Sequence, residues 1–474
     1  MSAAESETIK NSFMITLNFH AGTITLTGIS SLPPELEQIF SFDERCSLFR
    51  ARACDYAPAV MALLRAKIPF EDKARDYEKL ADFTVREKIT PRPHQQQALA
   101  NWIAADCRAV VSLPTGAGKT ILAMMALEYL RRPTLILVPT IDLLTQWCTM
   151  INRFFDTPCG MLGGGSRDIR PITVSTYDSA LLNIEFIGSR FALLIADECH
   201  HLPSAENRLC AAMAIAPFRL GLSATLDHEG EYAAVMDDLM GKLCCNISIT
   251  ELAGNILSNY QVKQLRVELS GDEAAAYQHH RKIYTDFVRR CGINFSRPDG
   301  WAEFLIACAR RPGGKEALHS FTLQRRIARA GTAKLEVIEK ILREHHGEQT
   351  IIFTADNDAA YTIGRRFMLP VLTHHTKAAE RKDFLDRFRT GEYPVLVTSK
   401  VLNEGVDVPQ ASIGIIVSGS GSVREHVQRL GRILRSAPGK EQALLYELVS
   451  SNTSEVEISE RRREHSAYRR KSSC

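Results

Sequence analysis

Twelve cysteines occur, yet no two of them form a Cys-x-x-Cys pair. That absence removes the usual zinc-ribbon and dithiol-redox signatures, and the reading left is reduced thiols in a reducing compartment. The adjacent Cys244-Cys245 sits in an apolar run and reads as core rather than as a bridge. No apolar run is long enough to span a bilayer. Met1 to Lys10 is polar and acidic and lacks a signal-peptide pattern. The expected location is cytoplasmic, nucleoid-associated in a bacterium. Charge of one sign is missing too. The net charge is only +3, so bulk charge announces no nucleic-acid partner, although a local groove or backbone amides could hold one. What remains is the composition of a globular protein. At 474 residues it is too long for one ordinary core and sized for roughly three domains.

The chain is organised around Leu113-Pro114-Thr115-Gly116-Ala117-Gly118-Lys119-Thr120. The apolar run Ala109–Leu113 before it reads as a strand, and Ile121–Leu127 after it as a helix. Strand, glycine-rich turn and helix is the context of a phosphate-binding loop. Gly116 and Gly118 let backbone N–H groups turn toward phosphate oxygens, and the helix N-terminus adds partial positive charge. In that chemistry Thr115, Gly116 and Gly118 cradle the phosphates. Lys119 reaches the β- and γ-phosphates, and the Thr120 hydroxyl holds Mg²⁺. The usual first glycine of the pattern is Leu113 here.

Further apolar strands, Thr134–Val138, Ile172–Thr176, Phe191–Ala196 and Leu220–Thr225, alternate with helices such as Ile141–Phe155. This is the pattern of a mostly parallel sheet covered on both faces, whose ligands sit at the carboxyl ends of the strands. Asp197-Glu198-Cys199-His200 stands at one such end. Asp197 suits Mg²⁺, and Glu198 suits an attacking water. Cys199, His200 and His201 are of metal-ligating types, but Asp-Glu-x-His already has a role in that chemistry. Arg92-Pro93-His94-Gln95 opens the domain, and the Gln95 amide carries the donor and acceptor needed to read an adenine edge.

Before this domain, Met14–Phe19 and Thr23–Thr27 alternate with period two around Ala21-Gly22, which predicts a β-hairpin. A helix over Tyr56–Ala66 completes a small α/β module. After it, helices are expected over Ala274–Arg290 and Trp301–Arg310, with loop signals at Arg297–Gly300 and Arg311–Gly314. A second alternating set follows. It has a helix over Lys334–Arg343, strands at Thr350–Thr354, Val395–Thr398 and Ile413–Val417, and a helix over Arg381–Phe388 with Phe384, Leu385 and Phe388 inward. It carries no phosphate loop of its own. Gln428 to Arg435 reads as a helix on which Arg432 and Arg435 share a face. Two such guanidinium forks could reach a γ-phosphate. The expected divisions are 1–85, 86–245, a connecting and partly helical insertion over 246–330, 331–450, and a solvated basic tail over 451–474.

Taken in order, these segments resemble a superfamily-2 helicase of the DEAD/DEAH-box kind. Arg92–Gln95 and residues 113–120 resemble the Q-type segment and motif I. Val138-Pro139-Thr140 with Leu144, Gln146 and Trp147 resembles motif Ia, and Ser175-Thr176-Tyr177 motif Ib. Asp197–His200 is similar to motif II, Ser223-Ala224-Thr225 to motif III and Ile352-Phe353-Thr354 to motif IV. Thr398 with Asn403–Pro409 is similar to motif V, and residues 428–435 to motif VI. Phe42-Asp43-Glu44-Arg45 and Phe49-Arg50-Ala51, with the Gln-Arg-Leu-Gly-Arg-Ile-Leu-Arg form of motif VI, resemble the XPB-type DNA repair helicases and related bacterial and phage proteins. Their signature Trp before the Asp is Phe42 here. The iron–sulfur, XPD-like relatives need four cysteines between motifs I and II, where this chain has Cys148, Cys159 and Cys199.

The resemblance implies an α/β fold of two tandem RecA-like domains with parallel sheets, besides the N-terminal module and the insertion. It implies an ATP-dependent, 3′–5′ DNA helicase or translocase with its ATP site in the interdomain cleft, acting in repair or recombination. Gln95, Thr115, Gly116, Gly118, Lys119, Thr120, Asp197, Gly405 and Asp407 would contact nucleotide, with Thr120 and Asp197 on Mg²⁺. Glu198, Gln428, Arg432 and Arg435 would be catalytic. His200, Ser223 and Thr225 would couple ATP to nucleic acid. Thr140, Gln146, Ser175, Thr176, Thr354 and Thr398 would touch the nucleic-acid backbone. The N-terminal module is associated in the family with distorted DNA. The insertion is expected to touch DNA through Arg281, Arg289, Arg290, Arg310, Arg311, Arg325 and Arg326. An RNA helicase, a duplex translocase that leaves strands paired, and a nucleotide-dependent switch are the alternatives.

Overall fold

A computed structural model describes residues 15–80, 83–224, 230–252, 259–297, 299–399, 411–419 and 442–463. The chain forms two compact units, one from residues 1–113 and 118–247, the other from 114–117 and 248–474.

The first unit begins with β1 (Ile15–His20), β2 (Thr23–Thr27), β3 (Ser41–Asp43), β4 (Leu48–Arg52) and β5 (Phe70–Lys73), in the order β3-β4-β2-β1-β5. β1 and β2 make the expected hairpin. Ala21 and Gly22 both take positive φ, 47° and 73°, as a type I′ turn requires. Alternation sends Leu17, Ile24, Leu26 and Ala51 into one core with Tyr56, Ala59 and Leu63 of the helix Tyr56–Arg65. This module packs onto the rest of its unit. Met213 occupies the space a Cβ on Gly22 would need, Ile215 enters the module's core, and Cys54 enters the core of the next sheet. Arg52 forks onto Asp55 and onto Asp238, with Nη1 2.6 Å from Asp238 Oδ2.

The next sheet holds β6 (Arg108–Ser112), β7 (Thr134–Val138), β8 (Cys159–Gly163), β9 (Ser166–Arg167), β10 (Ile172–Thr176), β11 (Leu193–Asp197), β12 (Phe218–Ser223) and β13 (Leu243–Asn246). The order is β13-β6-β12-β11-β7-β10-β8-β9, parallel except for the β8–β9 pair. β7, β10 and β11 are buried along their length, which is why they read as continuous apolar runs. β8 has no such signal, because two glycines in Cys159–Gly163 mask it. Arg219 of β12 is fully buried and donates to the carbonyls of Ala214, Ala216 and Leu239. Burial pulls its guanidinium down to about 9.

The second unit is built on β14 (Asn259–Val267), β15 (Thr350–Phe353), β16 (Val371–Leu372), β17 (Val395–Thr398), β18 (Ile413–Ile416) and β19 (Gln442–Ser450). All are parallel, in the order β14-β19-β18-β15-β17-β16. β14 corrects the insertion expected over 246–330, since it pairs with β19 over its whole length. It is an edge strand carrying Lys263 and Arg266, so it lacks the apolar run that betrays an interior strand. Between β14 and β15 the helices Gly271–Cys291, Gly300–Arg310 and Gly314–Ala330 pack around Phe287, Phe304 and Ala317. The helix Thr332–Glu344 follows, and in the helix Ala378–Thr390 Leu385 and Phe388 are buried as expected. The expected tail over 451–474 is also corrected over its first part. The helix Glu455–Arg463 packs back, with Ser459 Oγ 2.9 Å from Glu447 Oε1. The fully buried Lys334 ammonium lies between the Glu455 carboxylate and Val417 O. The buried groups there are small hydroxyls and a paired carboxylate, which read as a solvated segment in sequence.

Candidate active site

β6 delivers the glycine-rich loop. Leu113 is fully buried and its N–H donates to Ser223 O at 2.9 Å. Positive φ falls on Gly116 (86°) and Gly118 (85°), so left-handed backbone is required there and not at Leu113. A Cβ on Gly118 would lie 2.2 Å from Gln95 Nε2. The buried Gln95 amide accepts from Arg92 N–H at 2.9 Å and donates to Gly118 O at 3.4 Å. The structure thus sets Gln95 against the loop itself. Thr115 Oγ1 is buried with no hydrogen-bond partner among the described residues. Lys119 and Thr120 open the helix Lys119–Leu130.

β11 delivers the acidic pair. Lys119 Nζ lies 2.9 Å from Glu198 Oε1, both side chains largely buried. Glu198 adopts φ 45° and ψ 50°, a left-handed conformation that costs a non-glycine residue on the order of 1–3 kcal/mol. Asp197 is held by three groups. Trp147 Nε1 donates to Oδ2 at 2.8 Å, the Glu198 N–H donates to Oδ1 at 2.9 Å, and Tyr177 OH donates to its main-chain oxygen at 3.1 Å. Burial, then the charge of Glu198, pushes the Asp197 carboxyl up to about 6, against the opposing pull of Lys119. Burial works to lower the Lys119 ammonium, but Glu198 and Asp197 outweigh it and hold it above its ordinary value. His200 Nδ1 lies 3.1 Å from Ser223 Oγ and 3.4 Å from Glu198 Oε2. Loop, acidic pair, His200 and Ser223 therefore converge at the carboxyl ends of β6, β11 and β12. Sequence reasoning places Trp147 only within motif Ia and misses this bond. The signal available is its indole N–H, which needs an acceptor when buried.

The expected nucleic-acid contacts divide. Thr140 caps the helix Ile141–Phe154, accepting from Leu143 N–H at 3.3 Å, and Gln146 lies half-buried on that helix. Thr176 caps the short helix after it in the same way through Ser179 N–H. Ser175, Thr354 and Thr398 are corrected. All three are fully buried, and their hydroxyls donate to the carbonyls of Thr176, of Asp356 and Thr398, and of Ser399. Strand-end hydroxyls satisfied inward this way present nothing to a phosphate. Thr225, Gly405, Asp407, Gln428, Arg432 and Arg435 lie outside the described residues.

The chain is 37% identical over 423 residues to the DNA 3′–5′ translocase XPB2 of Sulfurisphaera tokodaii, covering 89% of this chain and 95% of that one. This chain belongs to the XPB helicase family. It is also 31% identical to the DNA 3′–5′ helicase XPB of Kineococcus radiotolerans, over 84% of this chain and 67% of the relative. To the general transcription and DNA repair factor IIH helicase/translocase subunit XPB1 of Arabidopsis thaliana it is 24% identical, over 81% of this chain and 50% of the relative. Three family models match: the type III restriction enzyme res subunit at 88–228, the helicase conserved C-terminal domain at 333–437, and the xeroderma pigmentosum group B helicase damage recognition domain at 17–74. In that last region Phe42, 55% exposed, meets Phe49 edge-on at 5.2 Å, and Asp43 is held by Arg45 at 2.9 Å and Arg50 at 3.1 Å. The fold is that of RecA-like helicases. The Hef helicase domain of Pyrococcus furiosus aligns with a TM-score of 0.51 at 19% identity, covering 78% of this chain and 97% of that one. Dbp5 of S. cerevisiae bound to RNA and ADP BeF3 aligns with 0.56 at 14%, covering 80% and 89%.

Proposed function

We infer that this XPB-family chain is an ATP-hydrolysing DNA helicase or translocase moving 3′ to 5′, working in DNA repair. The observation that carries this is the Lys119–Glu198 pair beside Asp197 at the mouth of the glycine-rich loop. A triphosphate on that loop competes with Glu198 for Lys119. As Lys119 turns to the phosphates, Glu198 is released to orient and polarise water. The orphan Thr115 hydroxyl and the helix N-terminus at Lys119 supply further donors for phosphate oxygens. Thr120 and Asp197 would hold Mg²⁺, which supplies charge neutralisation between phosphate oxygens. His200 joins Glu198 to Ser223, so a change at the water-orienting carboxylate reaches the end of β12. Gly405 and Asp407 enter as nucleotide contacts, and Gln428, Arg432 and Arg435 as catalytic groups, the roles the family pattern assigns them.

DNA would be held mainly through its backbone, which makes binding weakly sequence-dependent and strongly salt-dependent. The test is steady-state ATP hydrolysis by wild type and Lys119→Ala, alone and with single-stranded, duplex and forked DNA and with RNA. Stimulation by DNA that vanishes in Lys119→Ala is expected. Equal stimulation by RNA would overturn the DNA assignment. Stimulation by duplex DNA without fork opening would make the chain a translocase rather than a strand-separating helicase.

A further inference from the structure

We propose that Arg325 forms the centre of a pocket that grips one phosphate of the DNA backbone. A cavity of about 290 Å³ lies just beyond the carboxyl end of β15, lined by Phe321, Arg325, Arg326, Arg329, Asp356 and Asp358 among others. Two of its arginines are already engaged. Arg329 is ion-paired with Asp356, whose other oxygen caps the helix Asn357–Phe367 through Ala359 N–H at 2.9 Å. Arg326 meets Asp358 at 3.6 Å, both side chains more than half exposed. Arg325 differs. Its guanidinium lies half-buried 5.0 Å over the Phe321 ring and makes no hydrogen bond or ion pair to any described residue. Desolvation and the neighbouring Arg329 make it a poorer place for an uncompensated charge. Three guanidinium groups face two carboxylates, so one positive charge is left over, the charge a single phosphodiester cancels. The loose Arg326–Asp358 pair lets a second fork turn to the same phosphate. Carboxyl ends of parallel strands are where such sheets bind ligands. The Thr354 hydroxyl at the same strand end points inward, to Asp356 O and Thr398 O. The inference rests on the DNA-motor reading.

Binding of the full chain to labelled single-stranded DNA is followed by fluorescence anisotropy across a salt series. Each phosphate that the protein ceases to neutralise lowers the slope of log affinity against log salt by roughly 0.7. Arg325→Gln is expected to lower the slope by about the value of one phosphate and to weaken binding roughly tenfold at low salt. Arg325→Lys keeps the slope, and Asp358→Asn, which frees Arg326, tightens binding. Unchanged slope and affinity in a folded Arg325→Gln protein overturn the pocket. Should that variant not fold, wild-type behaviour of Asp358→Asn overturns it. Inorganic phosphate that protects wild type from thermal unfolding, with no change of DNA slope in Arg325→Gln, reassigns the site to free phosphate and overturns the DNA contact. Failure of wild type to bind DNA at all would instead remove the motor reading.

Discussion

Glu198→Gln should move ATP binding and ATP turnover in opposite directions. Lys119 and Glu198 are 2.9 Å apart, with side chains 11% and 13% exposed. At the effective dielectric of such a site, unit charges about 4 Å apart interact with roughly 4 kcal/mol. Incoming ATP must overcome part of that attraction and accept a carboxylate near its γ-phosphate. Glutamine keeps the shape and removes the charge, so both costs fall. Recovering about 1 kcal/mol would already tighten ATP binding roughly fivefold. Asp197 also benefits, because the Glu198 charge is the second cause of its raised carboxyl. Turnover falls meanwhile, since losing the group that polarises water costs roughly a hundredfold to ten-thousandfold. A fluorescent ATP analogue reports the first quantity, and phosphate release in the presence of DNA the second. Weaker nucleotide binding by Glu198→Gln, or hydrolysis at the wild-type rate, would refute the competition described for Lys119.

Three further outcomes are expected. Lys119→Ala leaves Asp197 and Glu198 side by side. Burial already raises the Asp197 carboxyl to about 6 against the pull of Lys119, and removing that pull raises it further. A carboxyl raised on folding gives stability at low pH that is lost as pH rises through its folded value. The variant's thermal-unfolding deficit should therefore be larger near neutral pH than in mild acid, and a pH-independent deficit would count against the buried pair. Glu455→Ala removes the carboxylate paired with the buried Lys334 ammonium and should cost roughly 3–5 kcal/mol in urea unfolding, whereas Lys334→Met with Glu455→Leu should return close to wild type. Equal losses in single and double variants would contradict this. Gly118→Ala forces a Cβ into Gln95 Nε2 at a φ of 85°, so KM for ATP should rise, and adding Gln95→Ala should recover part of it. No recovery would mean that backbone strain alone is responsible.

Much of this was legible in the chain because interior strands and phosphate loops use few residue types. β7, β10 and β11 could hardly read otherwise, being buried on both faces. β14 escaped for the converse reason: at an edge, half its side chains meet water and its apolar signal halves. Leu113 departs from the loop's usual pattern without harm, because only positions 116 and 118 need left-handed φ. The acidic pair was readable, but the strain at Glu198 and the Trp147 clamp on Asp197 were not, since both depend on partners far away in sequence. Thr354 and Thr398 matched a motif, yet a motif does not say which way a hydroxyl points. The Arg325 pocket combines two segments that no local pattern links.

The attachment of the N-terminal module has one more consequence. Its Cys54 is buried in the motor domain's core, Met213 fills the notch at Gly22, and Arg52 holds Asp238 from across the seam. The module and the ATP-binding sheet thus belong to one compact unit. A force applied to the module would meet the helix Glu231–Met240 through the Arg52–Asp238 pair. Such a module cannot be exchanged as a cassette, because cutting it away uncovers apolar side chains of the sheet it packs on.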